Sequence, residues 1–271
     1  MVKTAQTYIY PKFWQATNLI VIYIFIQTLI DFPLALYDYH HDTNWLYEPW
    51  IKIPVFVGST LFILFLGYYY SGLTVKEVFP LKRFRIGLVP ALLAALIPLQ
   101  FFLTEISIQF DKVLPPPRWF MELFARLFDS DFGVWSGVLR VVIIAPVVEE
   151  LIFRGAIMSG FIRNYKPVYA IFFSALLFAL FHLNPWQFPA TFLLGLILGW
   201  VRIRTNSVLA CIAGHAIHNG LVFLAVIYSA EFANLTFLQH GQSINYLING
   251  VILSAGLFLI YFSTGFIKKQ S

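Results

Sequence analysis

Residues 145–155 read Ala-Pro-Val-Val-Glu-Glu-Leu-Ile-Phe-Arg-Gly, and this stretch places two adjacent carboxylates and an arginine inside a long apolar run. An ionised carboxylate at the centre of a bilayer costs about 2.5–3.5 kcal/mol on insertion scales, so it persists only inside a helix bundle, beside a partner or water. On a helix, Glu150 and Arg154 lie four residues apart and share a face. Glu149 is turned about 100° away from Glu150, so Arg154 neutralises it less well. The stretch therefore predicts one paired, structural glutamate and one glutamate that is left for chemistry.

The composition of the chain is that of an integral membrane protein. Of its 271 residues, 59% are hydrophobic and 11% are charged, and the mean hydropathy is +0.77. Soluble domains carry about 25% charged residues. The net charge of +5 is attributed to lysines and arginines in cytoplasmic loops, so it does not indicate a nucleic-acid partner. The single cysteine, Cys211, excludes an intramolecular disulfide and is interpreted as a small buried residue rather than a nucleophile.

Apolar runs of about 20 residues predict an all-α, polytopic membrane protein with about eight transmembrane helices. Residues 1–271 are predicted to form a single transmembrane helical domain, with a motif-bearing core at 134–228. The predicted spans are 16–37, 51–72, 86–109, 134–157, 167–183, 187–202, 206–228 and 245–267.

Cation-rich and cation-poor loops alternate along these spans, which predicts that both termini are cytoplasmic. The segment 110–132 has mixed charge and contains the stiff sequence Pro115-Pro-Pro-Arg. The residues that follow, 119–128, carry an apolar helical stripe and are predicted to lie at the membrane surface.

Two further polar insertions follow the glutamates within apolar runs. The first ends the sequence Phe178-Ala-Leu-Phe-His182, and the second is His215-Ala-Ile-His218-Asn219. His215 and Asn219 are four residues apart and share a helical face. A glutamate, imidazoles and an amide on separate helices make a plausible hydrolytic centre. In the predicted spans His182 falls near an outer end whereas Glu149 and His215 are nearer the middle. These offsets would separate them in depth by several ångströms, unless shifted boundaries, helix tilt or a short, buried fifth span removes the difference.

The motifs Glu-Glu-x-x-x-Arg, Phe-x-x-x-His and His-x-x-x-Asn, in this order over residues 145–219, resemble those of the CAAX protease and bacteriocin-processing family of intramembrane glutamic endopeptidases. That family includes the type II CAAX prenyl endopeptidases. The resemblance implies hydrolysis of a peptide bond in a membrane-associated or prenylated substrate, without a metal or other cofactor. The partners would be a peptide or lipid-modified protein and membrane lipids. It implies catalytic roles for Glu149, His182, His215 and Asn219, and supporting roles for Glu150, Arg154, Phe178 and His218.

In this hypothesis Glu149 accepts a proton from water, and His182 helps to orient that water. His215 and Asn219 stabilise the oxyanion. Three alternatives stay open at this point. Glutamate and histidine also bind zinc. A membrane scaffold or bacteriocin self-immunity protein would hold a peptide without cutting it. A transporter would use the same groups to relay protons, although the chain shows no inverted repeat.

Overall fold

The computed structural model describes residues 9–118, 121, 134–229, 231, 235, 239 and 241–264. Within these residues the backbone is helical with turns and short loops, and no strand occurs, which confirms the all-α polytopic architecture. The predicted surface helix at 119–128 lies almost entirely outside the described residues. The eight long helices are α1 Phe13–His41, α2 Pro49–Ser71, α3 Leu88–Val113, α4 134–164, α5 Pro167–Phe181, α6 Phe188–Thr205, α7 Val208–Ile227 and α8 Ser243–Ser263.

Each predicted span corresponds to one of these helices, with ends that differ by up to seven residues. Six of the helices, all except α4 and α5, are long and apolar enough to cross a membrane by length and composition. The largest difference is at the end of α4, which continues to residue 164 instead of 157. Polar contacts extend it, because the Arg163 guanidinium donates to the Ser159 carbonyl and pairs with Glu77. The chain is an integral, multi-pass membrane protein.

Helix α4, which carries both glutamates, is not a uniform α-helix. Two π-helical segments, Val138–Ile144 and Leu151–Ile157, flank the α-helical segment Ala145–Glu150. Pro146 accounts for the first of them, because its ring would clash with the carbonyl four residues earlier. In a π turn the carbonyl of Val141 would receive the N–H of residue 146, and proline has none.

Asn219 replaces that missing donor. Its Nδ2 atom donates to the Val141 oxygen at 2.8 Å. A proline in the sequence therefore leaves a carbonyl free inside the membrane, and a side chain from α7 satisfies it. The result is a polar tie between α4 and α7 close to the glutamates.

Two glycines allow pairs of helices to pack closely, as small residues do in membrane bundles. A Cβ atom on Gly195 of α6 would lie 2.9 Å from the backbone of Ala175 on α5. A Cβ atom on Gly256 of α8 would lie 2.4 Å from the backbone nitrogen of Ala95 on α3.

Cys211 on α7 is completely buried, and its thiol faces the carbonyls of Leu198 and Ser207.

The two ends of the bundle differ sharply in charge. At the end where α1 and α7 begin and α2, α4, α6 and α8 finish, hydrogen bonds join Phe13 to Tyr165, Ser207 to the carbonyl of Lys82, and Arg204 to Thr264. We call this the cation-rich end, because its described charged residues are Lys12, Lys76, Lys82, Arg83, Arg85, Arg163, Lys166, Arg202 and Arg204, with Glu77 as the acid.

The opposite end is acid-rich. Here Asp38 caps the α1–α2 loop by accepting the backbone N–H groups of Trp45 and Leu46, and the Trp186 indole donates to the Leu114 carbonyl. The described charged residues toward this end are Asp31, Asp38, Asp42, Glu48, Glu105, Asp111 and Glu231, with Lys52, Lys112, Arg118 and Arg140 as the cations.

Candidate active site

The four side chains expected to be catalytic line one cavity of about 850 Å³. Glu149 comes from α4, His182 directly follows α5, and His215 and Asn219 come from α7. Residues distant in sequence are therefore brought together between three helices, as the order of the motifs had suggested.

The short length of α5 resolves the difference in depth expected for His182. With 15 residues the helix is about 22 Å long, which is less than the roughly 30 Å thickness of the hydrocarbon core. His182 is its C-cap residue, and Leu183 then adopts a φ of 50°, which ends the helix. Asn184 accepts the N–H groups of Trp186 and Gln187 and forms the turn into α6. His182 thus lies beside Glu149, at the end of a helix that is shorter than the hydrocarbon core is thick.

Glu149 faces both histidines symmetrically. Its Oε2 atom lies 3.9 Å from Nε2 of His182 and 3.9 Å from Nε2 of His215. The side chain is only 12% exposed, and Oε2 is buried without a hydrogen-bond partner among the described residues. A distance of 3.9 Å is too long for a direct hydrogen bond but leaves room for a bridging water.

The Nδ1 atoms of both histidines, which point away from Glu149, are held by hydrogen-bond acceptors. The Nδ1 atom of His182 lies 2.9 Å from the carbonyl oxygen of Phe178, and that of His215 lies 2.9 Å from Oε1 of Glu150. A carbonyl and a carboxylate only accept, so each Nδ1 carries the hydrogen and donates. Each Nε2 therefore faces Glu149 as a lone pair, unless the ring carries a second proton.

Glu150 is fully buried and joins two partners through one oxygen. Its Oε1 atom accepts from Arg154 Nη1 at 2.8 Å and from His215 Nδ1. Arg154, also fully buried, donates to the Gly195 carbonyl at 3.1 Å and stacks over the Phe178 ring at 4.6 Å. The ion pair expected from the helical spacing is present. Its link to His215 was not foreseen, because sequence spacing gives no distance between α4 and α7.

Asn219 and His218 form hydrogen bonds with neighbouring helices. Asn219 donates one side-chain N–H to the Val141 carbonyl, which leaves it a second N–H and its own side-chain oxygen for other partners. His218 is 7% exposed, and its Nδ1 lies 2.8 Å from Nε2 of Gln100 on α3. Gln100 also lines the cavity and was missed. Its polar side chain within the apolar run of α3 was the available signal.

Arg140 is a second cavity residue that the motifs did not indicate. It lies nine residues before Glu149, which would place it on the opposite side of a regular α-helix. The π-helical segment Val138–Ile144 changes that rotation, and both side chains line the same cavity. Its Nε atom is buried with no hydrogen-bond partner among the described residues.

No group of three or more His, Cys, Asp or Glu side chains in the described part of the chain is arranged to hold a metal ion. The nearest approach to one is Glu149 with His182 and His215. Two ligands on a tetrahedral zinc, each about 2.0–2.1 Å from the metal, are about 3.3–3.4 Å apart. The observed separations of 3.9 Å would have to contract by about half an ångström, whereas a water fits them as they are.

The comparison with known families bears on the same segment. Residues 131–221 match the family described as type II CAAX prenyl endopeptidase Rce1-like. No curated protein and no solved structure matches the chain. The matched residues include Glu149, His182, His215 and Asn219 together with their supporting side chains, and they point to a protease. The match confirms the resemblance to the CAAX protease family that the three motifs had indicated.

Proposed function

We propose that the protein is an intramembrane endopeptidase in which Glu149 activates a water molecule for attack on a peptide bond. The observation that carries the proposal is the position of the Glu149 carboxylate, equidistant from Nε2 of His182 and Nε2 of His215. A water oxygen can lie about 2.8 Å from the Glu149 carboxylate and from either imidazole. Glu149 is partly accessible from the cavity, so a substrate can reach that water.

The number of hydrogens that a water can donate distinguishes the roles of His182 and His215. A water donates two hydrogen bonds, so it cannot satisfy Glu149, His182 and His215 if all three act as acceptors. One imidazole must then present an N–H. We assign that N–H to His215, whose Nδ1 is held by the Glu150 carboxylate. His182 then accepts from the water and orients it, since its Nδ1 is held only by the neutral Phe178 carbonyl.

In the proposed hydrolysis, Glu149 takes one proton from the water and later gives it to the leaving nitrogen. Glu149 takes a proton from the water as its oxygen attacks the carbonyl carbon. His215 Nε2–H, with the remaining N–H of Asn219, stabilises the oxyanion that forms. The carbon–nitrogen bond then breaks, and the proton held by Glu149 passes to the leaving nitrogen. The products are a carboxylic acid and an amine, which together account for the atoms of the peptide bond and the water, so no redox partner or group donor is required.

The experiment compares wild type with Glu149→Gln on detergent-purified protein and a mixture of synthetic peptides, with mass spectrometry of new termini. Glutamine has nearly the same shape but cannot act as a base. Loss of a general base lowers rates by about 10²–10⁴-fold. Asp111→Asn is the matched control, because Asp111 also lines the cavity but makes no ion pair with either histidine. Equal cleavage by wild type and Glu149→Gln would contradict the proposal and favour a protein that holds peptides without cutting them.

A zinc-dependent mechanism is the second candidate, and one observation favours it. Metal-binding histidines usually donate their other N–H to a carboxylate or a backbone carbonyl, as His215 and His182 do here. Elemental analysis of the active, purified protein decides between the two mechanisms. Cleavage that persists with substoichiometric zinc and after chelation supports glutamate catalysis. Loss of cleavage on chelation, with recovery on adding zinc, supports the metal.

A further inference from the structure

The cavity that holds the site is built from one end of the bundle. It is lined by loop residues of three of the four connections at the acid-rich end, namely Leu46, Pro116, Met121 and Trp186. Most helix residues that line it belong to the halves of the helices nearest those loops, as Asp31 of α1 and Ser107 of α3 do, and the deepest, Gln100 and His215, lie near the middle of their helices. None of the described loop residues at the cation-rich end contributes to its wall. The route from water to Glu149 therefore leads to the acid-rich end.

Densely packed side chains separate the site from the cation-rich end. Beyond the Glu150–Arg154 pair, Phe153, Ile157 and Phe161 of α4 are completely buried. Arg202 of α6, 3% exposed, donates from Nε to the Arg154 carbonyl at 2.9 Å and from Nη1 to Asn206 at 2.7 Å. Close-packed apolar side chains exclude water. These residues form a dry plug between the site and the cation-rich end.

The distribution of lysine and arginine between the two ends indicates which end faces the cytoplasm. Among the described residues, the cation-rich end carries nine lysines and arginines and one acid. The acid-rich end carries four cations and seven acids. Short loops with an excess of lysine and arginine remain in the cytoplasm during membrane insertion. All the connections at both ends are short enough for this rule to apply.

We infer that the catalytic cavity opens to the non-cytoplasmic side of the membrane. Its substrate is then a peptide segment presented at that surface, such as the membrane-proximal part of an exported or surface-anchored polypeptide. A lipid-modified C-terminus held at the cytoplasmic leaflet would meet the dry plug instead. The statement about the substrate rests on the proposed function. The side of the membrane on which the cavity opens is a property of the fold, and it can be measured without any activity.

The first arm of the experiment measures sidedness by thiol labelling. In a Cys211→Ala background, Ser107→Cys places a thiol in the cavity wall, and Lys82→Cys places one in the cation-rich loop as the matched control. Right-side-out and inside-out vesicles are treated with a membrane-impermeant maleimide. We expect Ser107→Cys to react in right-side-out vesicles and Lys82→Cys in inside-out vesicles. The reverse pattern, or no reaction of Ser107→Cys in either preparation, would overturn the inference.

The second arm uses a water-soluble peptide that wild type cleaves in detergent and Glu149→Gln does not. Offered from outside, it should be cleaved by right-side-out vesicles, and by inside-out vesicles only after detergent is added. Cleavage by sealed inside-out vesicles would overturn the assignment of the substrate side. If no peptide is cleaved in detergent, the proposed function fails, while the labelling result still decides the side on which the cavity opens.

Discussion

At the scale of single residues, the two adjacent glutamates have opposite surroundings. Glu150 is fully buried and bonded to Arg154 and His215, whereas Glu149 lines the cavity and keeps an oxygen without a partner among the described residues. A rotation of about 100° between neighbours on a helix is sufficient to separate them. One side of α4 faces the packed core and the other faces the cavity.

Glu150→Gln is expected to reduce stability first and activity second. The change leaves the Arg154 charge without its counter-ion in a dry site, and breaking a buried pair in this way costs about 3–5 kcal/mol. The double variant Glu150→Gln with Arg154→Met removes the stranded charge and should regain part of the loss. Thermal unfolding in detergent measures both effects. A fully stable Glu150→Gln that is catalytically dead would mean that the roles of the two glutamates are reversed.

At the scale of elements, irregular helices place the site. The π-helical segments of α4 bring Arg140 to the cavity and free the Val141 carbonyl for Asn219, and the early end of α5 sets the depth of His182. Single-turn π-helical segments are frequent at functional sites, because they change the rotation of a helix without breaking it.

Pro146→Ala tests that interpretation of α4. Alanine restores a backbone N–H that can bond to a carbonyl of the preceding turn and compete with Asn219. We expect a midpoint of thermal unfolding at or above that of wild type, with peptide release reduced by about tenfold or more through misplacement of Glu149. Activity equal to wild type would show that the π-helical segment does not position the site.

Gly195→Ala tests the close contact of α5 and α6. The added Cβ atom would lie 2.9 Å from Ala175 and would displace the carbonyl that accepts from Arg154. Overpacking of this kind costs about 1–3 kcal/mol, which should appear as a lower unfolding midpoint. Gly58→Ala is the matched control, because no atom lies within 4 Å of its added Cβ atom, so its midpoint should not fall. Equal midpoints for the two variants would show that the α5–α6 contact relaxes without cost.

At the scale of the whole molecule, the bundle is polarised along the membrane normal. Lysines and arginines gather at one end, while acids, the cavity loops and the mouth of the site lie at the other. An even number of spans requires the two termini to be on one side, and hydrogen bonds at Asn164 and Arg204 bring the segments next to both termini to the cation-rich end.

Both termini are therefore expected in the cytoplasm. A fluorescent protein fused after Ser271 should fold and fluoresce in intact cells, whereas a phosphatase that needs export should stay inactive at the same position. Fusion of the two reporters within the loop 42–48, on the acid-rich end, provides the opposite control. An active phosphatase at the C-terminus would contradict the orientation.

The sequence by itself determined the membrane class, the all-α architecture with about eight helices and the side chains that the structure places around one cavity. Long apolar runs have few solutions in a bilayer, because every backbone polar group must be satisfied within the helix. For the same reason, a charged or polar side chain inside such a run must find a partner or water, which marked Glu149, Glu150, Arg154, His182 and His215. Helical spacing also gave the Glu150–Arg154 pair, since both partners lie on one helix.

Only the tertiary structure decided what joins different helices. The bond from Glu150 to His215, the contact of His218 with Gln100 and the tie from Asn219 to Val141 depend on how α3, α4 and α7 are rotated against one another. The depth of His182 depends on where α5 stops, and the direction of the cavity depends on which loops meet. Hydropathy is uniform along these apolar runs, so it carries no information about rotation or depth. Packing and hydrogen bonding between helices fix both.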